Sequence, residues 1–442
     1  MGPEVDPVAV DEAMPQRVDV VIVGGGIIGT SAALFLAQKG VSVALCEKGH
    51  IAGEQSSRNW GWVRKMMRDP REQPLIIESL RLWQGMNETV GAETGFRQSG
   101  ILYVCDSDED VAEREAWLEH ARLYQLDSRL VAGNELTALL PGATRRYKGT
   151  LYTPSDGRAE PQKAAPAIAA AARRHGVRIL ASCAVRGIET AAGRVAGAVT
   201  EKGRIACNAV VLAGGAWSRL FCSGLDLRLP QLKVLATVMR TAPFAAPFEH
   251  AAWTAKFAFR KRLDGGYTVA NGHSNVVDIV PDSFRFFLDF LPALRQERGS
   301  LRLRLGRRFL EEWRLGGRVA LDRPSPYEAV RVLDPAPVTA INDEAKASLG
   351  AAFPVFNEAR IVEHWAGLID VMPDAVPVIS AVDAVPGFFI ATGFSGHGFG
   401  IGPGAGRLVA DLVTGDRPVV DPAAFRFTRF SDGSRPRPDA GL

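Results

Sequence analysis

Apolar residues first gather at 18–23, interrupted only by Asp19, in the stretch VDVVIVGGGIIG. A short apolar run ending at glycines predicts a buried strand and a tight turn. The spacing of Ala32, Ala33, Phe35 and Leu36 then predicts a helix over 30–40, closed by Gly40 before a second strand, 41–46. Residues 51–64 lack clean periodicity and read as a loop or the start of a helix. Leu75, Ile76, Leu80 and Trp83 mark a helix within 71–90, a strand surrounds Tyr103, and a further helix covers 109–124. The alanine-rich segment 161–175 predicts a close-packing helix. Four short strand patterns, 177–180, 185–189, 194–200 and 203–206, predict a β-meander before a core strand at 209–213 that ends in Gly214 and Gly215. From about 227 to 360 come alternating strands, a hairpin turn at Asp264–Gly265–Gly266 and a long basic-aromatic helical stretch, 284–313. A buried strand at 387–391 and a helix at 403–414 close the pattern.

This order predicts an α/β fold. Segments 17–95, 155–226 and 361–430 form a discontinuous Rossmann-type nucleotide domain, and 96–154 with 227–360 form a substrate domain with a mixed or antiparallel sheet. With 442 residues and 47% hydrophobic content the chain can bury a large core. A net charge of +3, with basic residues mostly interleaved with acids, is too mild to imply a nucleic-acid partner, and none is expected. Cys46, Cys105, Cys183, Cys207 and Cys222 include no CxxC pair and read as reduced, buried thiols in a cytoplasmic setting. The seven histidines show no metal-ligand spacing, so no metal is expected. Residues 1–17 are acidic, lack an apolar h-region and read as a loose leader. No run of eighteen apolar residues occurs.

The chemistry begins at the first turn. Gly24 fits the tight turn, Gly26 leaves room for phosphates, and Gly29 lets the helix pack closely. The helix N-terminus, with roughly half a positive charge, favours a pyrophosphate. About twenty residues on, Glu47 ends the second strand where a ribose is held. Together these define a dinucleotide site. Strands stop at glycine again at Gly214 and Gly393, and the three ends are expected to converge on one ligand. The segment 393–406, GFSGHGFGIGPGAG, nominally contains GxGxxA. However, no strand follows and no acid stands at the right distance, so it reads as backbone N–H groups facing the electron-rich edge of a flavin.

VIVGGGIIG with Glu47, the segment SSRNWG and the C-terminal ATGFSGHGFGIGPGAG resemble the FAD-dependent D-amino-acid oxidase superfamily, with glycine oxidase, sarcosine oxidase and D-amino-acid dehydrogenase as the nearest-looking types. The resemblance runs along nearly the whole chain. It implies FAD held by Gly24, Gly26, Ile27, Ile28 and Gly29, by Glu47 and Lys48, and by Ser56, Ser57, Arg58, Asn59, Trp60, Gly61 and Trp62. Val185 would meet adenine and Gly214 and Trp217 would lie near the cofactor. Gly393, Ser395, Gly396, His397, Gly398, Phe399, Gly400 and Ile401 would form the flavin-facing loop, with the His397 backbone mattering more than its imidazole.

The implied reaction removes a hydride from the carbon bearing an amine, delivers it to flavin N5 and leaves an imine that water hydrolyses. D-amino acids, N-substituted amino acids and cyclic imino acids are the implied substrates, and O2 or a quinone the acceptor. Relatives carry a carboxylate-clamping arginine where this chain has Ile369. Either Arg64 or Arg331 supplies the clamp, or the substrate lacks an α-carboxylate. Asp370 pairs with a cationic amine or caps a turn. Trp60, Trp62, Tyr267 and His364 are further pocket candidates. The basic-aromatic stretch 284–313 is either a solvated helix or a peripheral contact with the inner face of a membrane. The alternatives are an NADPH-using flavin hydroxylase and a flavin subunit of a multi-chain dehydrogenase; a homo-oligomer or a partner subunit is the expectation for assembly.

Overall fold

The computed structural model describes residues 2–297, 299–316, 320–434 and 436–439. A six-stranded sheet forms the nucleotide half, in the order Val378–Ala381, Phe388–Thr392, Ala209–Leu212, Val20–Val23, Val43–Cys46 and Arg178–Leu180. Its strands run parallel except the first, which pairs antiparallel with Phe388–Thr392. Helices Ile27–Gln38, Pro161–Arg174, Gln73–Gln84 and Gly398–Thr414 contribute to the core on one face, and all but Gln73–Gln84 bury many alanines or glycines there. The parallel strands Val20–Val23, Val43–Cys46 and Ala209–Leu212 are apolar on both faces because helices or the small antiparallel sheet cover them.

Three expectations change here. The first of the four predicted meander strands, Arg178–Leu180, is an edge of the parallel sheet; only Val185–Ala191, Arg194–Thr200 and Gly203–Ala206 form the antiparallel triplet. The acidic leader is packed rather than loose. Asp11 pairs its backbone N–H with the Ile179 carbonyl at 2.7 Å and accepts the Ile179 N–H on its carboxylate at 2.9 Å, satisfying that open edge. The helix expected at 284–313 is broken into Pro281–Arg285, Phe287–Gln296, the strand Leu301–Arg304 and Arg307–Leu315. The alternation Leu301, Arg302, Leu303, Arg304 has the period of a strand and pairs with Asn275–Asp278.

The second half is one large mixed sheet. Its order is Leu301–Arg304, Asn275–Asp278, Leu232–Thr241, Tyr267–Ala270, Ala258–Lys261, Ala251–Trp253, Ile101–Cys105, Gly149–Thr153 and Arg129–Val131. The strand Ile361–Val371, expected in the nucleotide domain, pairs antiparallel with Leu232–Thr241 instead, from Leu232 opposite Val371 to Thr241 opposite Ile361. Its last residues nevertheless reach the nucleotide half: the Asp370 carbonyl accepts the Ser395 N–H at 2.9 Å. The two halves therefore meet where this strand ends.

Candidate active site

One cavity of about 550 Å³ lies along this meeting line. Val23, Cys46, Leu212 and Thr392, the last residues of four parallel strands, all line it. This is where ligands bind in open α/β sheets. Gly24 holds φ +110°, and a Cβ there would stand 2.3 Å from the Ala213 carbonyl oxygen; a Cβ on Gly29 would stand 2.0 Å from the Gly24 oxygen. Glycine is thus required by contact at both positions, which bring the turn and the helix N-terminus together. The Ile27 N–H donates to Ser56 Oγ at 2.8 Å, and Glu47 accepts the N–H groups of Gly25 and Gly49, both at 2.7 Å. Burial raises the Glu47 carboxyl above its ordinary value against the pull of those two N–H groups. A second helix N-terminus, that of Gly398–Thr414, borders the same cavity at Gly398, Phe399 and Gly400. Two helix N-termini, a glycine turn and a carboxylate along one continuous cavity fit a dinucleotide carrying a flavin.

Of the expected cofactor contacts, the cavity gathers Gly24, Gly26, Ile27, Ile28, Glu47, Lys48, Ser56, Arg58, Asn59, Trp60, Trp62, Val185, Gly214, Trp217, Ser395, Gly396, His397, Gly398, Phe399 and Gly400. Ser57 faces away, its hydroxyl donating to the Glu54 carbonyl at 3.2 Å. Gly61 serves packing, since a Cβ there would meet the Ala159 oxygen at 2.4 Å. Ile401 is fully buried in the core beside the helix. Gly393, at φ +75°, turns the loop and presents its N–H to Asp370 Oδ2 at 2.8 Å.

Of the pocket candidates, Tyr267 and His364 lie outside the cavity, whereas Arg331 and Asp370 line it but are engaged by neighbouring groups. Tyr267 is buried in the apolar core of the large sheet with its hydroxyl donating to the Phe248 carbonyl at 2.9 Å. His364 faces Asn342, with Nδ1 3.0 Å from the amide nitrogen. Arg331 stands beside Lys48, where it grips the Glu201 carboxylate and the Lys48 carbonyl. Asp370 is committed internally. Its Oδ2 accepts from Gln231 Nε2 at 3.2 Å, Thr392 Oγ1 at 3.1 Å and the Gly393 N–H, and the Gln55 amide can donate to Oδ1 at 2.9 Å. Burial pushes its carboxyl up to about 6. Its Oδ2 is thus shared among internal donors, and through them it pins the glycine loop to the large sheet.

The other end of the cavity is aromatic and basic. Trp60 and Trp62 meet edge to face at 5.4 Å, Trp62 stands 6.3 Å from Tyr103, and Trp253 stacks on Tyr103 at 4.9 Å. Arg64 and Arg114 lie 5.3 and 5.5 Å from the Tyr103 ring centroid. His397 Nδ1 is 3.1 Å from Glu72 Oε2, and burial, reinforced by nearby Arg68, pushes the imidazole down to about 4. It is therefore neutral at pH 7. Sequence reasoning missed Arg68, Tyr103, Arg114, Trp253 and His273, all of which line the cavity. No local pattern marks them, since they come from separate elements; a basic run ahead of Asp69 was the only available signal.

Residues 19–412 match the family described as FAD dependent oxidoreductase, DAO, and the chain belongs to it. Among solved structures it is similar to an L-amino acid deaminase from Proteus myxofaciens in complex with anthranilate, at 34% identity and a TM-score of 0.94, covering 98% of this chain and 97% of that one. It is also similar to an L-amino acid deaminase from Proteus vulgaris, at 32% identity and a TM-score of 0.91, covering 97% of this chain and 100% of that one. Among curated proteins it is 26% identical to the sarcosine oxidase subunit beta of Rhizobium meliloti over 94% of this chain and 89% of that protein. The protein is an FAD-dependent amine or amino-acid oxidoreductase.

Proposed function

We propose that the protein oxidises the CH–NH2 centre of a primary L-α-amino acid to an imine, which water hydrolyses to a 2-oxo acid and ammonia. The observation that carries this reading is the joining of a dinucleotide cradle and an aromatic, arginine-bearing chamber in one cavity. The likeness to L-amino acid deaminases at 34% identity over nearly the full length supports the amino acid and its hand. Bound FAD supplies the acceptor for the hydride.

The chain's residues bind and orient. The Gly24 turn and the N-terminus of Ile27–Gln38 receive the pyrophosphate, Glu47 the ribose and Val185 the adenine, while the loop from Gly393 to Gly400 faces the flavin ring. The dipole of helix Gly398–Thr414 favours negative charge gained there on reduction. Arg64 meets the substrate carboxylate and the wall of Trp60, Trp62, Tyr103 and Trp253 seats the side chain and excludes water. With Asp370 engaged and His397 tied to Glu72, the amine reaches the site already neutral, its proton left in solvent. Product analysis tests this. L-amino acids should yield equal amounts of 2-oxo acid and ammonia; product from D-amino acids alone, or from N-methylated or cyclic imino acids alone, would overturn the assignment.

The acceptor is proposed to be a membrane quinone. Phe284, Leu288, Leu305 and Trp313 are 68%, 81%, 72% and 65% exposed on the broken helical segment, among Arg295, Arg302, Arg307 and Arg314. Exposed apolar side chains among arginines suit an anionic bilayer. No helix among the described residues is long and apolar enough to cross a membrane. Sedimentation with phosphatidylglycerol vesicles should bring the protein down and Leu288→Glu should release it. Failure to bind, with self-association or hydrogen peroxide formation instead, would refute the location and the acceptor.

A further inference from the structure

Arg68 lies between the strand Trp62–Val63 and the helix Gln73–Gln84, is 3% exposed, and still lines the cavity. Its Nε donates to the Arg64 carbonyl at 3.4 Å and its Nη1 finds no acceptor. The acids nearest to it are engaged elsewhere. Glu72 gives Oε2 to His397 while its buried Oε1 has no partner and lies beyond ion-pair distance of Arg68, and Asp156 accepts the N–H groups of Lys65 at 2.8 Å and Met66 at 3.2 Å. Arg64 spends Nη1 on the Met66 and Met67 carbonyls. Two arginines four residues apart thus line the cavity, and neither has a carboxylate within ion-pair distance among the described residues.

Two arginines buried as deeply each hold a carboxylate, whereas Arg158, 5% exposed and outside the cavity, also leaves Nε and Nη1 without a partner, so it is the cavity position that sets Arg68 apart. Arg260 holds Glu160 with two hydrogen bonds of 2.8 and 3.0 Å, and Arg429 holds Asp374 with two of 2.9 and 3.2 Å. A buried cation without such a partner is costly. Burial, and then the like charge of Arg64, pushes the Arg68 guanidinium down to about 9. An incoming anion relieves that cost, so the unpaired charge favours an anionic ligand in this corner of the cavity.

We propose that Arg68 is a carboxylate-binding residue of the substrate cavity, closing with Arg64 an anion site that an amino acid fills and a plain amine leaves open. The inference rests on the amino-acid reading above. The carboxylate comes either from the α-position or from an acidic side chain, and the substrates chosen separate the two.

The FAD-loaded protein and its Arg68→Gln and Arg68→Lys variants are titrated with benzoate, followed by perturbation of the flavin spectrum. They are then mixed anaerobically with L-phenylalanine and with L-glutamate. Arg68→Gln should weaken benzoate about 100-fold, as loss of one partner of a buried charged pair does. Arg68→Lys should restore part of the affinity, and the melting temperature should hold or rise because an unpaired buried charge has gone. An equal loss toward L-phenylalanine assigns the α-carboxylate, whereas a loss toward L-glutamate alone assigns a side-chain carboxylate. Unchanged affinity for all three ligands overturns the inference. So does a fall in melting temperature in both variants, which marks a scaffold residue. If no amino acid reduces the unaltered protein, the functional reading fails, and the benzoate titration still decides the role of Arg68.

Discussion

Replacing Glu160 by glutamine removes the one carboxylate that holds Arg260 among the described residues, and the structure gives the size of the effect. Glu160 caps the helix Pro161–Arg174; Arg260 sits in the strand Ala258–Lys261 of the other half, with 1% of its side chain exposed against 5% for Glu160. Glu160 Oε1 also accepts the Leu263 N–H at 2.9 Å, and Arg260 Nε donates to the Trp60 carbonyl. The pair therefore ties both halves to the tryptophan loop that walls the cavity. Burial alone would raise the Glu160 carboxyl, but the Arg260 charge and its hydrogen bonds hold it at about 2, against 4.5 ordinarily. That difference is about 3 kcal/mol of stability at neutral pH. Because the folded value is depressed, the contribution is complete above about pH 4.5 and is lost as pH falls toward 2. Breaking a buried pair from one side costs about 3–5 kcal/mol, which agrees in size. Urea unfolding of the FAD-loaded protein should show Glu160→Gln about 3 kcal/mol less stable at pH 7, with the gap closing below pH 4.5. Adding Arg260→Met should recover much of the loss, since both charges are then gone. A gap under about 1 kcal/mol at pH 7, or one that does not change with pH, would refute the reasoning.

Further outcomes follow from the same contacts. A Cβ on Gly406 would stand 2.4 Å from Ser31 Cβ and 2.7 Å from the Ala32 nitrogen, so Gly406→Ala should cost about 1–3 kcal/mol of packing against about 1 kcal/mol gained in helix propensity. It should lower the melting temperature and speed FAD release, whereas Gly85→Ala, with nothing within 4 Å, should do neither. Glu47→Ala should weaken FAD retention on dialysis; full occupancy would remove Glu47 from the ribose. Asp370→Asn should keep the glycine loop in place, and Asp370→Ala should raise the KM of every substrate by loosening it. With its carboxyl raised to about 6, ionised Asp370 opposes folding increasingly as pH rises from about 4 through 6. The stability of Asp370→Asn relative to the unaltered chain should therefore improve over that range in urea titrations.

The nucleotide cradle was legible because its causes are local. Gly24, Gly29 and Glu47 act within one strand, one turn and the next strand, and their spacing carries the chemistry. The glycine loop at Gly393 was legible for the same reason. Residues 361–371 were not, since an apolar strand fits either sheet equally well and its partner, Leu232–Thr241, is more than a hundred residues away. The arginine chamber was hidden differently. Arg68 and Arg114 resemble any basic residue on a loop or helix until the fold buries both along the cavity, Arg114 over the Tyr103 ring and paired only with its neighbour Glu113, Arg68 with no carboxylate in ion-pair distance among the described residues. The pairing of Arg331 with Glu201 was not legible, because residue type alone cannot say which end of a long cavity a side chain reaches. The leader gained its structure from an open strand edge, which no property of residues 1–17 announces.

The central claim is that a bound flavin takes electrons from an amino acid held in the chamber beside Tyr103. Anaerobic mixing of the purified protein with L-amino acids, followed by visible absorbance, tests it most directly. The account predicts a yellow protein whose flavin bleaches with L-amino acids and not with NADPH. A protein that carries no flavin, or one that bleaches with NADPH alone, would contradict it.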